Sequence, residues 1–60
     1  MTKDETLEKI KYLAIMSTKK RKSGNHHKAF LLIWDIKDLM ESIGIEANRI
    51  EFMKILGHPV

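Results

Sequence analysis

Five basic residues lie within a ten-residue stretch that contains no acid: Lys19, Lys20, Arg21, Lys22 and Lys28. Side chains of one charge repel each other unless an anion lies opposite them. Lysine and arginine contact nucleic-acid phosphates, and each such contact adds a salt-dependent increment to the affinity. We therefore expect this basic loop to contact nucleic acid or another anion. The alternative is a solvated loop whose charges complement the carboxyl end of the preceding helix.

Residues that could support catalysis or metal binding are present, but their spacing is unsuitable. His26 and His27 are adjacent, so on a helix they point in different directions and do not chelate one ion as an i, i+4 pair can. Asp35, Asp38 and Glu41 fall on the polar face of a predicted helix, where solvated charge is the ordinary outcome. So short a chain also leaves little room for a substrate pocket. We therefore predict no enzyme activity, no cofactor, no metal and no small-molecule substrate.

The composition limits the class of protein further. The 60 residues form at most one domain, predicted over residues 1–60, and a domain of this size is only marginally stable. Cysteine is absent, so no disulfide can add stability, and self-association or partner binding is the expected way to bury more surface. The charged N-terminal residues and the lack of a long apolar run predict a cytoplasmic protein with no membrane partner. A net charge of +3 mildly favours anionic partners.

Two helices are predicted on either side of the basic stretch. Thr2 and Glu5 have the spacing of a capping box, which indicates a first helix over residues 3–19. The sequence around Gly24 interrupts the helical pattern, and a second, long helix follows over residues 26–43. The apolar residues that recur at helical spacing predict the core, and they are Leu7, Ile10, Leu13, Ala14, Ala29, Leu32, Ile33, Ile36, Leu39, Met40 and Ile43.

A third helix is predicted over residues 46–56. Gly44 is a natural terminator of the second helix, and Gly57 with Pro59 ends the third. No strand-like alternation is sustained anywhere in the sequence. The predicted fold class is therefore an all-α domain of three helices with a long central helix and a turn at Gly44, and we expect it to self-associate.

The first two helices carry more apolar side chains than one face can bury. Phe30 and Trp34 are four residues apart, so they are neighbours on the helix surface, opposite the main apolar stripe. In a monomer, the first and third helices could cover part of this surplus. Aromatic residues and methionine are enriched in interface cores, so we expect a homodimer or partner-protein interface. The residues predicted to form it are Tyr12, Ile15, Met16, Phe30, Leu31 and Trp34.

The segment around Gly44 resembles the helix-turn-helix DNA-binding pattern. That pattern has apolar residues on both sides of a central glycine and at six and nine positions beyond it, and Ile43, Ile45, Ile50 and Met53 occupy those positions. Met40 departs from the pattern, which favours a small residue four positions before the glycine. The resemblance implies that the third helix presents its early residues to the major groove. The candidates for base contact are Glu46, Asn48, Arg49 and Glu51.

Two functions follow from these features. The first is a small non-catalytic regulator that binds nucleic acid, most naturally DNA, through the basic loop with Asn48 and Arg49 on the third helix. The second is a protein-interaction module, an inhibitor or adaptor of a larger protein, that uses the aromatic face of the second helix.

Overall fold

The computed structural model describes residues 2–57, and this part of the chain consists of three helices and contains no strand. They are α1, Lys3–Lys22, α2, His26–Ser42, and α3, Arg49–Ile55. The all-α prediction is therefore confirmed. The central helix is long, at 17 residues, although α1 is longer, at 20. Pro59, expected to end the third helix, lies outside the described residues.

Helix α1 begins as predicted and ends three residues later than predicted. The Thr2 hydroxyl accepts the Glu5 backbone N–H at 3.2 Å, which caps the amino end. At the other end, Gly24 adopts a φ of +87°, and the Asn25 N–H reaches back to the Lys20 carbonyl at 2.8 Å. This is the Schellman arrangement. Lysine and arginine are good helix formers and favour the negative end of the helix dipole, so the helix continues until the glycine ends it.

The connection between α2 and α3 is longer than the sequence indicated. Gly44, with a φ of +78°, ends α2 in the same way as Gly24 ends α1, and the Ile45 N–H bonds to the Met40 carbonyl at 3.0 Å. Helix α3 then begins at Arg49 and not at residue 46, because Asn48 is its N-cap. The Asn48 Oδ1 accepts the Glu51 backbone N–H at 2.8 Å.

The core lies between α1 and α2. A connection of three residues joins these two helices, so they pack antiparallel as a helical hairpin. Ile10 and Ala14 of α1 meet Ile36 and Met40 of α2, and all four are buried. Helix α3 packs against this cluster with partly buried side chains only. The partly buried apolar residues around the cluster are Leu7, Leu13, Leu39, Ile43, Ile45, Phe52, Ile55 and Leu56.

Two small polar residues, which the apolar pattern did not predict, are also buried. The Thr6 hydroxyl donates to the Thr2 carbonyl at 3.0 Å, and the Ser17 hydroxyl donates to the Ala14 carbonyl at 2.9 Å. Both hydroxyls are satisfied within their own helix, so their burial leaves no polar group unpaired. Their small size lets the two long helices approach each other.

Candidate functional site

The basic run lies on a helix, which corrects the prediction of a basic loop. Lys19, Lys20, Arg21 and Lys22 form the last turn of α1, and Lys28 lies in the first turn of α2. Successive residues on an α-helix project about 100° apart. The four consecutive cations therefore point in four directions around the end of α1, and they cannot all contact one flat surface.

These cations are not neutralised by acidic side chains. Within residues 2–57, the side-chain ion pairs are Glu8 with Lys11 at 3.5 Å and Glu51 with Lys54 at 3.4 Å. The positive charge of the last turn of α1 is balanced locally by the helix dipole alone, which supports the solvated alternative as well as anion binding. The surface at this end of the helix pair therefore stays positive and attracts anions.

A cleft of about 590 Å³ brings three cations from three different helices together. Arg21 of α1, Lys37 of α2 and Arg49 of α3 line it, and Asn48 lies beside Arg49. The rest of its lining is apolar, with Ile33, Ile36, Met40, Ala47, Phe52 and Met53, and no acidic residue of the described chain contributes. The cleft therefore combines an apolar floor with a positive rim.

Three of the seven predicted anion contacts meet in this cleft. They are Arg21 near the end of α1 and Asn48 and Arg49 at the start of α3. Four others are not part of its lining, namely Lys19, Lys20, Lys22 and Lys28. The Asn48 Oδ1 already accepts the hydrogen bond that caps α3, so only the side-chain N–H groups of Asn48 are free of that bond.

The packing of α3 differs from the helix-turn-helix pattern. Ile50, which should lie against the preceding helix, is 55% exposed. Phe52 packs against the core cluster instead. Glu46 and Asn48 precede the helix, so Arg49 and Glu51 are the only candidates for base contact on α3, and Glu51 pairs with Lys54. The glycine turn is present, but the expectation that Ile50 packs in the interior is wrong.

An exposed aromatic pair lies on α2 next to the cleft. The ring centroids of Phe30 and Trp34 are 5.9 Å apart and the ring planes meet at 77°, an edge-to-face arrangement. The Lys37 Nζ lies 4.5 Å from the centroid of the Trp34 ring. Phe30 is 55% exposed and Trp34 is 47% exposed, and Leu31 is exposed beside them. Lys37 therefore belongs to both the cleft and the aromatic pair.

The predicted interface residues of α1 form a separate surface. Tyr12 and Ile15 are exposed, and Met16 is half-buried. Tyr12 and Ile15 are therefore open to a partner, and Met16 is only partly so.

Lys37 was not among the predicted contact residues, although it has a recognisable local signal. It follows Trp34 by three residues, a spacing that places two side chains together on one helix face. A lysine three residues after an exposed tryptophan predicts a cation–π contact. The position of Lys37 in the cleft has no comparable signal, because it depends on where α3 packs.

The remaining residues that could support chemistry are the histidines and the acidic side chains. Among residues 2–57, no three histidine or acidic side chains lie close enough together to hold a metal ion. His26 and His27 are exposed at the start of α2. None of the three helices combines the length and apolar content that crossing a bilayer requires.

Comparison with known proteins does not place this chain in a family. The helix-turn-helix resemblance is carried by the residues around Gly44 alone. No protein-family model matches the chain, and comparisons with curated proteins and with solved structures found no significant match.

Proposed function

We propose that this chain is a small, non-catalytic, cytoplasmic regulator that binds nucleic acid. The observation that carries the proposal is the convergence of Arg21, Lys37 and Arg49 on one cleft that has no acidic lining residue. Two of these are arginines, whose planar guanidinium groups match the geometry of phosphate oxygens.

The other basic residues contribute differently. Lys19, Lys20, Lys22 and Lys28 surround the end of the helix pair and supply long-range attraction that weakens with salt. The cleft arginines make the direct contacts. This division favours contact with the sugar–phosphate backbone, which positions a nucleic acid, over contact with base edges, which specifies its sequence.

Recognition of base edges by α3 has less support than phosphate contact by the cleft. The helix has seven residues, Ile50 is exposed, and Asn48 is engaged in capping. We therefore propose weak sequence preference. The chain would then regulate by covering stretches of nucleic acid, and not by recognising one defined sequence.

Binding to random-sequence DNA and RNA at several salt concentrations tests the proposal. Fluorescence anisotropy of labelled oligonucleotides should show micromolar or tighter binding at low salt and progressive loss as salt increases. Replacing Lys20, Arg21 and Lys22 together should abolish binding, while circular dichroism should show an intact helical fold. Absence of binding by the unaltered chain at low salt would eliminate this function.

A protein-interaction module is the second candidate, and the exposure of Phe30, Leu31 and Trp34 favours it. Large apolar side chains grouped on one exposed face are typical of protein-binding surfaces. In this case the chain is an inhibitor or adaptor, and the positive end steers it towards an acidic target. Sedimentation would identify a homodimer, and Trp34→Ala should weaken protein binding more than Arg21→Ala does.

A further inference from the structure

We infer that the preferred ligand is single-stranded nucleic acid, with unpaired bases stacked on Phe30 and Trp34 and the adjoining phosphates held by the cations of the cleft. This inference rests on the proposed function and adds the strandedness of the ligand and the role of the aromatic pair.

The first step is the continuity between the aromatic pair and the cleft. Lys37 lines the cleft, and its Nζ also lies 4.5 Å from the centroid of the Trp34 ring. The aromatic pair and the cations Arg21 and Arg49 therefore border one surface. A chain of nucleotides that extends from the cleft past Lys37 reaches the Trp34 ring.

The second step is the exposure of these rings. Trp34 is 47% exposed and Phe30 is 55% exposed, although burial of such large side chains would enlarge the core of so small a chain. The rings meet edge-to-face at 77° and the Lys37 Nζ lies over the Trp34 ring, so each of these contacts covers part of a ring, and the exposed remainder is the surface open to a base. Exposed aromatic rings beside a positively charged groove are the combination that binds single strands.

The third step is the contrast with a duplex. In double-stranded DNA the bases are stacked on each other, so exposed rings on the protein surface gain nothing from them. A duplex is normally contacted by a helix lying in a groove. Helix α3 is short, its Ile50 is exposed, and two of its charged side chains pair with each other, so it is poorly suited to that role. The aromatic pair and the apolar floor of the cleft suit unstacked bases instead.

The chain offers a direct probe, because Trp34 is its sole tryptophan. Purified protein is titrated with oligo(dT), oligo(U) and a duplex of equal length at low salt, and tryptophan emission and anisotropy are recorded together. We expect the single strands to bind at least about tenfold more tightly than the duplex and to quench Trp34. The duplex should leave the emission of Trp34 nearly unchanged.

Matched variants separate stacking from charge. Trp34→Leu should weaken single-strand binding by roughly 5- to 150-fold, the range found for loss of one stacked base, and should weaken duplex binding far less. Trp34→Phe keeps a ring and should recover much of the loss. Tyr12→Leu is the control, because Tyr12 is 61% exposed but lies on the outer side of α1, and it should have no effect.

Three other results would decide against the inference in different ways. Equal affinity for single strands and duplex with unquenched Trp34 would overturn the stacking role and leave the proposed function in place. Binding of no oligonucleotide would eliminate both. Loss of affinity in Tyr12→Leu as large as in Trp34→Leu would show that the aromatic effect is not confined to this surface. Quenching and the preference for single strands are measured on the unaltered chain, so these two results do not depend on the stability of any variant.

Discussion

Replacing Arg21 and replacing Lys22 should have different effects on nucleic-acid binding, although the two residues are adjacent. Each change to alanine lowers the net charge from +3 to +2. The side chains project about 100° apart, and only Arg21 lines the cleft with Lys37 and Arg49. Arg21→Ala should therefore remove a direct phosphate contact, whereas Lys22→Ala should remove only distant attraction.

The size of the difference follows from counterion release. For a single strand, each phosphate contact contributes about 0.7 to the slope of log K against log salt concentration. Loss of one contact should lower that slope by about 0.7 and weaken binding about fivefold at 0.1 M salt. Lys22→Ala should change the slope by less than half of this amount. Both residues are exposed, so neither change should alter stability by more than about 0.5 kcal/mol.

The assay is anisotropy with a labelled oligo(dT) over a series of salt concentrations, with thermal melting as the control for folding. Arg21→Lys keeps the charge and loses the forked geometry, so its affinity should fall between those of the unaltered chain and Arg21→Ala. Equal slopes for Arg21→Ala and Lys22→Ala would refute the assignment of the cleft as the contact site. The binding would then depend on total charge alone.

Three further predictions concern the fold that holds the cleft together. Ile10→Ala should cost about 2–5 kcal/mol in urea unfolding because Ile10 is fully buried in the core, and a loss below about 1 kcal/mol would contradict that placement. Gly44→Ala should lower stability by about 1–2 kcal/mol, since φ is +78° with open space around the residue, and an unchanged melting temperature would contradict a conformational cost. Asn48→Ala should cost about 1 kcal/mol through loss of the cap of α3, seen as faster amide exchange in residues 49–55, whereas retained protection there would show that the cap is unimportant.

Local signals in the sequence were sufficient to predict the three helices and, to within a residue, most of the positions at which they begin and end. Thr2, Gly24 and Gly44 act through hydrogen bonds to residues at most five positions away, so their effects can be recognised without knowledge of the fold. The two misplaced ends have the same cause. The predicted end of α1 and the predicted start of α3 were each three residues early, and in both places a capping residue, Gly24 or Asn48, determines the observed end.

Only those parts of the candidate site whose residues lie close together in the sequence could be predicted. The contact between Phe30 and Trp34 follows from a spacing of four residues. The cleft does not follow from spacing, because Arg21, Lys37 and Arg49 line one cleft only once α3 has packed against the core cluster. Helical periodicity gives the direction of a side chain relative to its own helix, and it contains no information on how a short third helix will be oriented.

The most direct test of the central claim is a titration followed by ¹H–¹⁵N correlation spectra, in which the amide and side-chain signals of each basic residue are monitored as oligo(dT) is added. Binding through the cleft predicts that Arg21, Lys37 and Arg49 shift together, with one dissociation constant, and that the indole N–H of Trp34 shifts with them. Shifts spread evenly over the basic residues at the end of α1, with no change at Lys37 and Arg49, would contradict the claim.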